Sequence, residues 1–316
     1  MNHDSAAPGT VSIVIVNWNA GLLLKECIDS IAHFGGDRIV EVIVVDNGST
    51  DGSQAHAVGS AVRLLRNGSN IGFAAACNQG AAACSSPLLL LLNPDARLEP
   101  GVIDHVCEYF SKPAARTVGI VGVALRDDSG AIARSCSRFP TPLSLLWQSL
   151  GLNLAIPKAF KGPAMLEWNH ETSRAVDQVI GAFFCIRADL FAALGGFDER
   201  FFVYYEEVDF ALRARNAGWS SMYLAEFPAY HKGGGTSENV KATRLFYVLR
   251  SRLRFARKHF SVPGIVLVVL SVFAIEPAAR IVRHTAKGDW RSCRQVLEAM
   301  RRLCGWLIPE RRGTRS

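Results

Sequence analysis

Leu88-Leu89-Leu90-Leu91-Leu92-Asn93-Pro94-Asp95 is the stretch whose reading settles the class of fold. Five consecutive leucines with no polar alternation are the pattern of a central strand covered on both faces, and Asn-Pro-Asp ends it abruptly. Polar residues at the carboxyl end of such a strand face the ligand crevice of an open α/β sheet. Working backward, Val11–Val16 and Val40–Val45 are β-branched runs that end in polar residues, and Gly21–Ala32 between them carries apolar residues at helical spacing. Strand, helix, strand is the start of a parallel α/β sheet. A third strand is expected at Val62–Leu65 and a helix of very small residues at Ala74–Ala83. Working forward, Thr117–Leu125 and Gln178–Ile186 read as strands, and Glu207–Asn216 as a helix closed by Gly218. Residues 130–177, rich in Pro, Trp and Ser with weak periodicity, are expected to be a variable insertion on the acceptor side.

The chain has 316 residues, 49% of them hydrophobic, enough for one large or two small cores and too apolar for a disordered polypeptide. Charge is unevenly spread: residues 241–316 hold 17 Lys and Arg against 4 Asp and Glu, which leaves residues 1–240 acidic. Eight cysteines form no C-x-x-C pair, so they read as reduced packing residues of a cytoplasmic protein, not a disulfide scaffold or structural zinc site. Met1–Thr10 is polar and Val11–Val16 is short, so no signal peptide is expected. The longest apolar run, Ile265–Ile275, is shorter than the roughly 20 residues that a spanning helix needs.

Several segments taken in order resemble a known family: Val11–Asn19, Val44–Gly52, Asn70–Ala74 with Asn78, Leu92–Asp95, Gly181-Ala182, Gly195–Glu199, and Tyr205–Asp209 with Arg213, ending near His231. As a set they are similar to the successive signatures of family 2 glycosyltransferases, in a rhamnosyltransferase-like branch. The resemblance implies a GT-A fold, a nucleotide-diphospho-sugar donor, a divalent metal (Mg²⁺ or Mn²⁺) and inversion at the anomeric carbon.

Residue by residue, the resemblance puts Val16, Asn17, Asn19, Asp46, Gly72, Asn78 and Asn93 at the donor site, Asp95 and His231 on the metal, and Glu207 in the role of base. Asp46, at the end of the second strand, is suited to accept a hydrogen bond from the N3–H of a uracil or thymine, although Asp-Asn-Gly is also an ordinary turn. Asn17 and Asn19 stand beside it, or merely cap the loop. Gly72 before a small-residue helix lets backbone approach a ligand, or packs helix on sheet. The family's Asp-x-Asp reads Asn93-Pro94-Asp95 here, which leaves Asp95 as the strong oxygen donor for a hard cation. His231 precedes Gly233-Gly234-Gly235, read as the hinge of a lid. Glu206 and Glu207 open a helix that later carries Arg213 and Arg215, a pattern that also suits the helix dipole. The family's Glu-Asp pair is Glu-Glu in this chain, and Asp209 is the second candidate for base.

The GT-A body is expected over residues 1–238, and a basic amphipathic helical region with a short apolar segment at 262–275 over 239–316. A basic helix at Asn239–His259 beside that segment suits an anionic membrane face better than nucleic acid, for which no motif is present. Packing on the catalytic body, or formation of a homo-oligomer, is the other use of such a helix. The expected enzyme transfers a sugar, L-rhamnose from dTDP-rhamnose or a sugar from a UDP donor, to a glycan or polyprenyl-diphosphate-linked acceptor on the cytoplasmic side. A catalytically silent relative that binds nucleotide-sugar or lipid carrier is the competing reading.

Overall fold

Asn17, Asp46 and the Asn93–Asp95 turn leave one sheet at one edge, because the strands before them run parallel. β1 (Val11–Asn17), α1 (Leu22–Phe34), β2 (Ile39–Asp46), β3 (Val62–Arg66), α2 (Phe73–Ala81) and β4 (Leu88–Leu92) follow the alternation read from the sequence. The structure, a computed structural model, describes residues 9–233 and 241–307. β1 pairs in parallel with β2 on one side, Asn17 opposite Asp46, and with β4 on the other, Val14 opposite Leu91. All five leucines of β4 are buried, as a strand covered on both faces requires.

After β4 come β5 (Ala96–Arg97), α3 (Val102–Ser111), β6 (Val118–Arg126) and the two-residue strands β7 (Ile132–Ala133) and β8 (Cys136–Ser137). The chain later returns through β9 (Arg174–Val176), β10 (Gln178–Val179), β11 (Phe183–Arg187), α6 (Ala188–Ala193), α7 (Glu206–Asn216) and β12 (Ser220–His231). The main sheet runs β3-β2-β1-β4-β11-β6-β12-β5, with β7 and β9 at its margin. Gln178–Ile186, expected as one strand, is two, because a turn at Gly181-Ala182 separates β10, paired with β8, from β11, which enters the main sheet antiparallel to β4. β12 was not anticipated as a strand. It pairs in parallel with β6, with a register shift between Leu224 and Ala229, and at Tyr230 and His231 it also pairs antiparallel with β5.

Contacts divide the chain into two units, Met1–Phe139 with Pro163–Thr236 and Pro140–Gly162 with Ser237–Ser316. The first has its core on the sheet: Ile13, Ile15, Leu90, Val121 and Phe183 are buried against Leu24, Val106 and Phe110 of the covering helices. Residues 140–162, read as part of an insertion in the first body, belong to the second unit. There Thr141 and Ser144 form a capping box that starts α4 (Pro142–Leu150), followed by α5 (Leu152–Ala155). The rest of this unit is α8 (Lys241–His259), α9 (Val262–Leu270), a π turn (Ser271–Ile275), α10 (Glu276–Ala286) and α11 (Trp290–Leu307). Leu145, Leu249, Leu253, Val268, Val272 and Leu303 make its core.

Val262–Ala286 is one continuous helix of 25 residues whose most apolar 18-residue window has a mean hydropathy of 2.2, long and apolar enough by composition to cross a membrane. The apolar run in sequence is therefore shorter than the helix it seeds. Pro263 sits in the first turn, where its missing N–H costs nothing, and the π turn precedes Pro277. The boundary expected at 238/239, the glycines Gly234 and Gly235, and the tail Arg311–Ser316 lie outside the described residues.

Small residues on α2 are explained by the sheet beneath it. A Cβ on Gly80 would lie 2.4 Å from Val14 Cγ1 and 3.2 Å from Val45 Cγ2. Gly80→Val is expected to destabilise the chain by about 1–3 kcal/mol, as overpacking does, read as a lower urea midpoint at unchanged m-value.

Candidate active site

The first wall of the site is a hydrogen-bonded set at the ends of β1 and β2. Asn17, fully buried, donates from Nδ2 to Asp46 Oδ1 (2.8 Å), Ser53 Oγ (2.9 Å) and Ser49 Oγ (3.1 Å). Its Oδ1 is buried with no hydrogen-bond partner among the described residues. Asp46 is also buried, and Val16 is packed beneath. Asn19 adopts a left-handed conformation (φ 52°) that short polar side chains tolerate, and its Oδ1 accepts from the Thr50 N–H at 2.8 Å. Asn19 thus fastens the loop after β2 to the loop after β1.

Asn47, which sequence reading treated only as part of a turn, joins the loop after β2 to the loop between β3 and α2. Its Nδ2 donates to Asn70 Oδ1 (3.0 Å) and the Gly72 carbonyl (3.2 Å), and its Oδ1 accepts from Asn67 Nδ2 (3.2 Å) and the Ile71 N–H (3.1 Å). Gly72 stands at the start of α2 with φ 98°, where a Cβ would lie 2.8 Å from the Phe202 carbonyl oxygen. The Phe73 N–H donates to that same carbonyl at 2.6 Å. Backbone does approach closely at Gly72, and its neighbour is Phe202, five residues before Glu207.

Asn78 is a correction. Expected at the donor site, its amide is occupied by the backbone of the Gly195–Glu199 segment: Nδ2 donates to the Phe197 carbonyl (2.9 Å) and Oδ1 accepts from the Phe197 N–H (2.8 Å). Nδ2 also reaches Glu199 Oε1 at 3.0 Å. It is a bracket between α2 and the turn before α7.

Asp95 and His231 meet. Pairing of β12 with β5 sets His231 opposite Ala96, and the Lys232 N–H donates to the Asp95 carbonyl at 3.1 Å. His231 Nε2 then lies 3.3 Å from Asp95 Oδ1, both side chains largely buried. No cluster of three or more metal-ligating side chains occurs among the described residues. One carboxylate and one imidazole suit a divalent ion that takes its other ligands from a diphosphate or water. Asn93 meets the site through its backbone, donating N–H to the Ala182 carbonyl (3.1 Å) and accepting from the Ala96 N–H (3.0 Å). Cys27 lies underneath, its thiol pushed far up by burial and then by the Asp95 charge.

Glu206 and Glu207 open α7 after Tyr204 and Tyr205, two consecutive non-glycine residues in left-handed conformation (φ 68° and 73°). Such backbone is strained and persists where the surroundings impose it. Both glutamates have a buried Oε2 with no hydrogen-bond partner among the described residues. Burial raises the Glu206 carboxyl well above its usual range, and the adjacent Glu207 charge raises it further. Burial also raises Glu207. Asp209, the second candidate, is fully buried in a structural pair. Its Oδ2 takes Arg213 Nε at 2.8 Å, while the guanidinium donates to the Leu194 and Gly196 carbonyls at 2.7 Å each.

The raised carboxyls set a sign for stability. Between the ordinary value of 4.5 and the raised values, the native state holds protons that the unfolded state has lost, so stability falls as pH rises through that window. Glu206→Gln removes one of the two buried charges. Its Tm is expected to exceed that of the wild type at pH 8, with the gap closing as pH falls toward 4.5; an equal or lower Tm at pH 8 would mean that the pair is not buried as charge.

Comparison with known proteins gives the family. The model of the family described as Glycosyl transferase family 2 matches residues 12–160. The chain is 31% identical over 251 residues to the N-acetylglucosaminyl-diphospho-decaprenol L-rhamnosyltransferase of Mycobacterium tuberculosis, covering 74% of this chain and 79% of that one. It is 32% identical over 175 residues to the rhamnosyltransferase WbbL of Escherichia coli K12, covering 54% and 62%. Among solved structures, the mannosyltransferase PcManGT from Pyrobaculum calidifontis, in complex with GDP-Man and Mn²⁺, superposes with a TM-score of 0.56 at 16% identity, covering 95% of this chain and 90% of that one.

Proposed function

The chain belongs to glycosyl transferase family 2 and is a glycosyltransferase of GT-A fold, and on that premise we propose that it transfers L-rhamnose from dTDP-rhamnose, with inversion, to a polyprenyl-diphosphate-linked sugar at the cytoplasmic face of a membrane. The carrying observation for the substrates is the 31% identity, over 79% of its length, to an enzyme named for rhamnosyl transfer to a diphospho-decaprenol-linked N-acetylglucosamine. A UDP-sugar is the second donor to test, since an acidic side chain that reads the pyrimidine N3–H serves uracil and thymine alike.

In this reading Asp46, steadied by Asn17, accepts from the pyrimidine N3–H, with Val16, Asn19 and Gly72 shaping the surrounding wall. Asp95 and His231 would hold a divalent ion, and the Mn²⁺ in the mannosyltransferase neighbour supports that assignment. When bound, the ion supplies Lewis-acid stabilisation of the leaving nucleoside diphosphate. Glu207 is the base. As the acceptor hydroxyl oxygen attacks the anomeric carbon from the face opposite the diphosphate, the Glu207 carboxylate takes its proton and the carbon–diphosphate bond breaks, which inverts the centre. A carboxylate whose affinity for protons is raised by burial is better suited to that task than a solvated one, provided the medium keeps it ionised. Commitment of Asp209 to Arg213 supports Glu207 over its rival. Glu207 also stands where the family has the shorter Asp, one methylene longer.

Release of nucleoside diphosphate from dTDP-rhamnose and from UDP-glucose, UDP-galactose and UDP-N-acetylglucosamine, with membrane lipid extract and Mn²⁺, Mg²⁺ or EDTA, tests the proposal. Turnover of dTDP-rhamnose is expected, abolished by EDTA and lowered by about 10²–10⁴-fold in Glu207→Gln. Tight nucleotide binding without turnover of any donor would support a silent, carrier-binding relative instead.

A further inference from the structure

The helix Val262–Ala286 buries the charge of Glu276 and leaves an apolar stripe exposed. Glu276 is buried and accepts from Arg280 Nε (3.0 Å) and Nη2 (2.7 Å) through Oε1. Its Oε2 takes Ser149 Oγ at 3.1 Å and pairs with the buried Arg252, whose Nη2 also donates to Gln148 Oε1 at 3.2 Å. On the outer side Val262, Val266, Leu270, Ala274, Ala278 and Val282 are all exposed, at four-residue spacing. The larger ones are half to three-quarters exposed: 74% for Val262, 53% for Val266 and for Leu270, and 68% for Val282. A four-residue spacing drifts around an α-helix, and the extra residue of the π turn offsets about 100° of that drift. The stripe stays continuous and no charged residue interrupts it.

A core helix of a soluble protein is equally apolar but mostly buried, whereas only 22% of the most apolar window of this one is buried. Its surroundings carry positive charge: Arg283 and Lys287 at its C-terminal end, and Arg291 and Arg294 on α11, are exposed beside Trp290, which is 64% exposed. An outward apolar stripe rimmed by Arg and Lys with an interfacial tryptophan is the pattern that an anionic bilayer surface complements. Crossing the bilayer is a poorer fit. α8 packs along α9, and its exposed Arg244, Arg257 and Lys258 would be drawn to hydrocarbon depth with it.

We propose that the Val262–Val282 stripe is a monotopic membrane-contact surface, on which the helix lies in the plane of a bilayer bearing anionic headgroups. The proposal deepens the reading that the acceptor is membrane-held, and its test measures binding, not turnover, so that the two fail separately. The full chain is floated with vesicles of phosphatidylcholine alone or mixed with phosphatidylglycerol. Wild type is expected to float with the mixed vesicles and less with phosphatidylcholine alone. Val266→Glu and Leu270→Glu, at exposed sites that leave the fold intact by circular dichroism, are expected to weaken partition by roughly tenfold or more, given the apolar area withdrawn. Val58→Glu, on an exposed residue of the other unit, should change nothing. A nitroxide on Leu270→Cys, in a Cys304→Ser background, should report a shallow depth. Undiminished flotation of both stripe variants would overturn the proposal while leaving the membrane-held acceptor standing. A nitroxide at the bilayer centre would overturn the in-plane placement in favour of a span. A wild type that dimerises through Leu270 and binds no vesicle, while glycosylating a water-soluble acceptor, would overturn both readings.

Discussion

Parallel pairing of β1 with β2 on one side and with β4 on the other is the constraint from which the rest of the site follows. It places the order reversal of the sheet at β1, so Asn17, Asp46 and the Asn93–Asp95 turn emerge at one edge, the place where open α/β sheets take their ligands. The buried leucines of β4 hold that edge in position. Two further pairings complete it: β5 with β12 brings His231 to Asp95, and the bond from Phe73 to Phe202 brings the segment ahead of α7 to the start of α2. Each distant contribution reaches the edge through backbone hydrogen bonds, which fix position more firmly than side-chain contact alone.

The acidic residues of α7 show how one helix separates structural from chemical charge. Asp209 is neutralised by Arg213, which is itself held by two carbonyls, and so it fastens the helix to the Leu194–Gly196 turn. Glu206 and Glu207 have no such partner for their buried Oε2 atoms among the described residues, and they follow a doubly left-handed backbone. Buried carboxylate oxygens without a partner and strained backbone both cost stability, and their coincidence at the start of α7 supports the proposal that Glu207 reacts. The second unit uses buried charge differently: Arg252, Glu276 and Arg280 satisfy one another inside the helices, and this leaves the outer face apolar.

Much of this was legible in the sequence because the decisive signals are local. A leucine run ending in Asn-Pro-Asp, β-branched runs ending in Asn17 and Asp46, and acids at a helix start each combine a period with a stop. What was illegible depends on contacts between distant segments. Asn78 looked like a ligand residue because the residue opposite it, Phe197, lies 119 positions along the chain. Asn47 looked like a turn residue because its partners, Asn67, Asn70 and Gly72, come from another loop. β12 lacks clean alternation since its register against β6 breaks between Leu224 and Ala229, and only its last two residues, Tyr230 and His231, also meet β5. Residues 140–162 carried a capping signal at Thr141 and Ser144, but nothing local says that the helix it starts belongs with the C-terminal helices.

The central claim is that Asp95 and His231 act together on an ion that also holds the donor diphosphate. Electron paramagnetic resonance of Mn²⁺, titrated with the full chain in the presence and absence of dTDP, addresses it directly. The account predicts that dTDP tightens Mn²⁺ binding to the wild type, that Asp95→Asn loses the dTDP-dependent part, and that His231→Ala loses some of it and alters the spectrum of what remains. Mn²⁺ bound equally by wild type and Asp95→Asn, with or without dTDP, would contradict it.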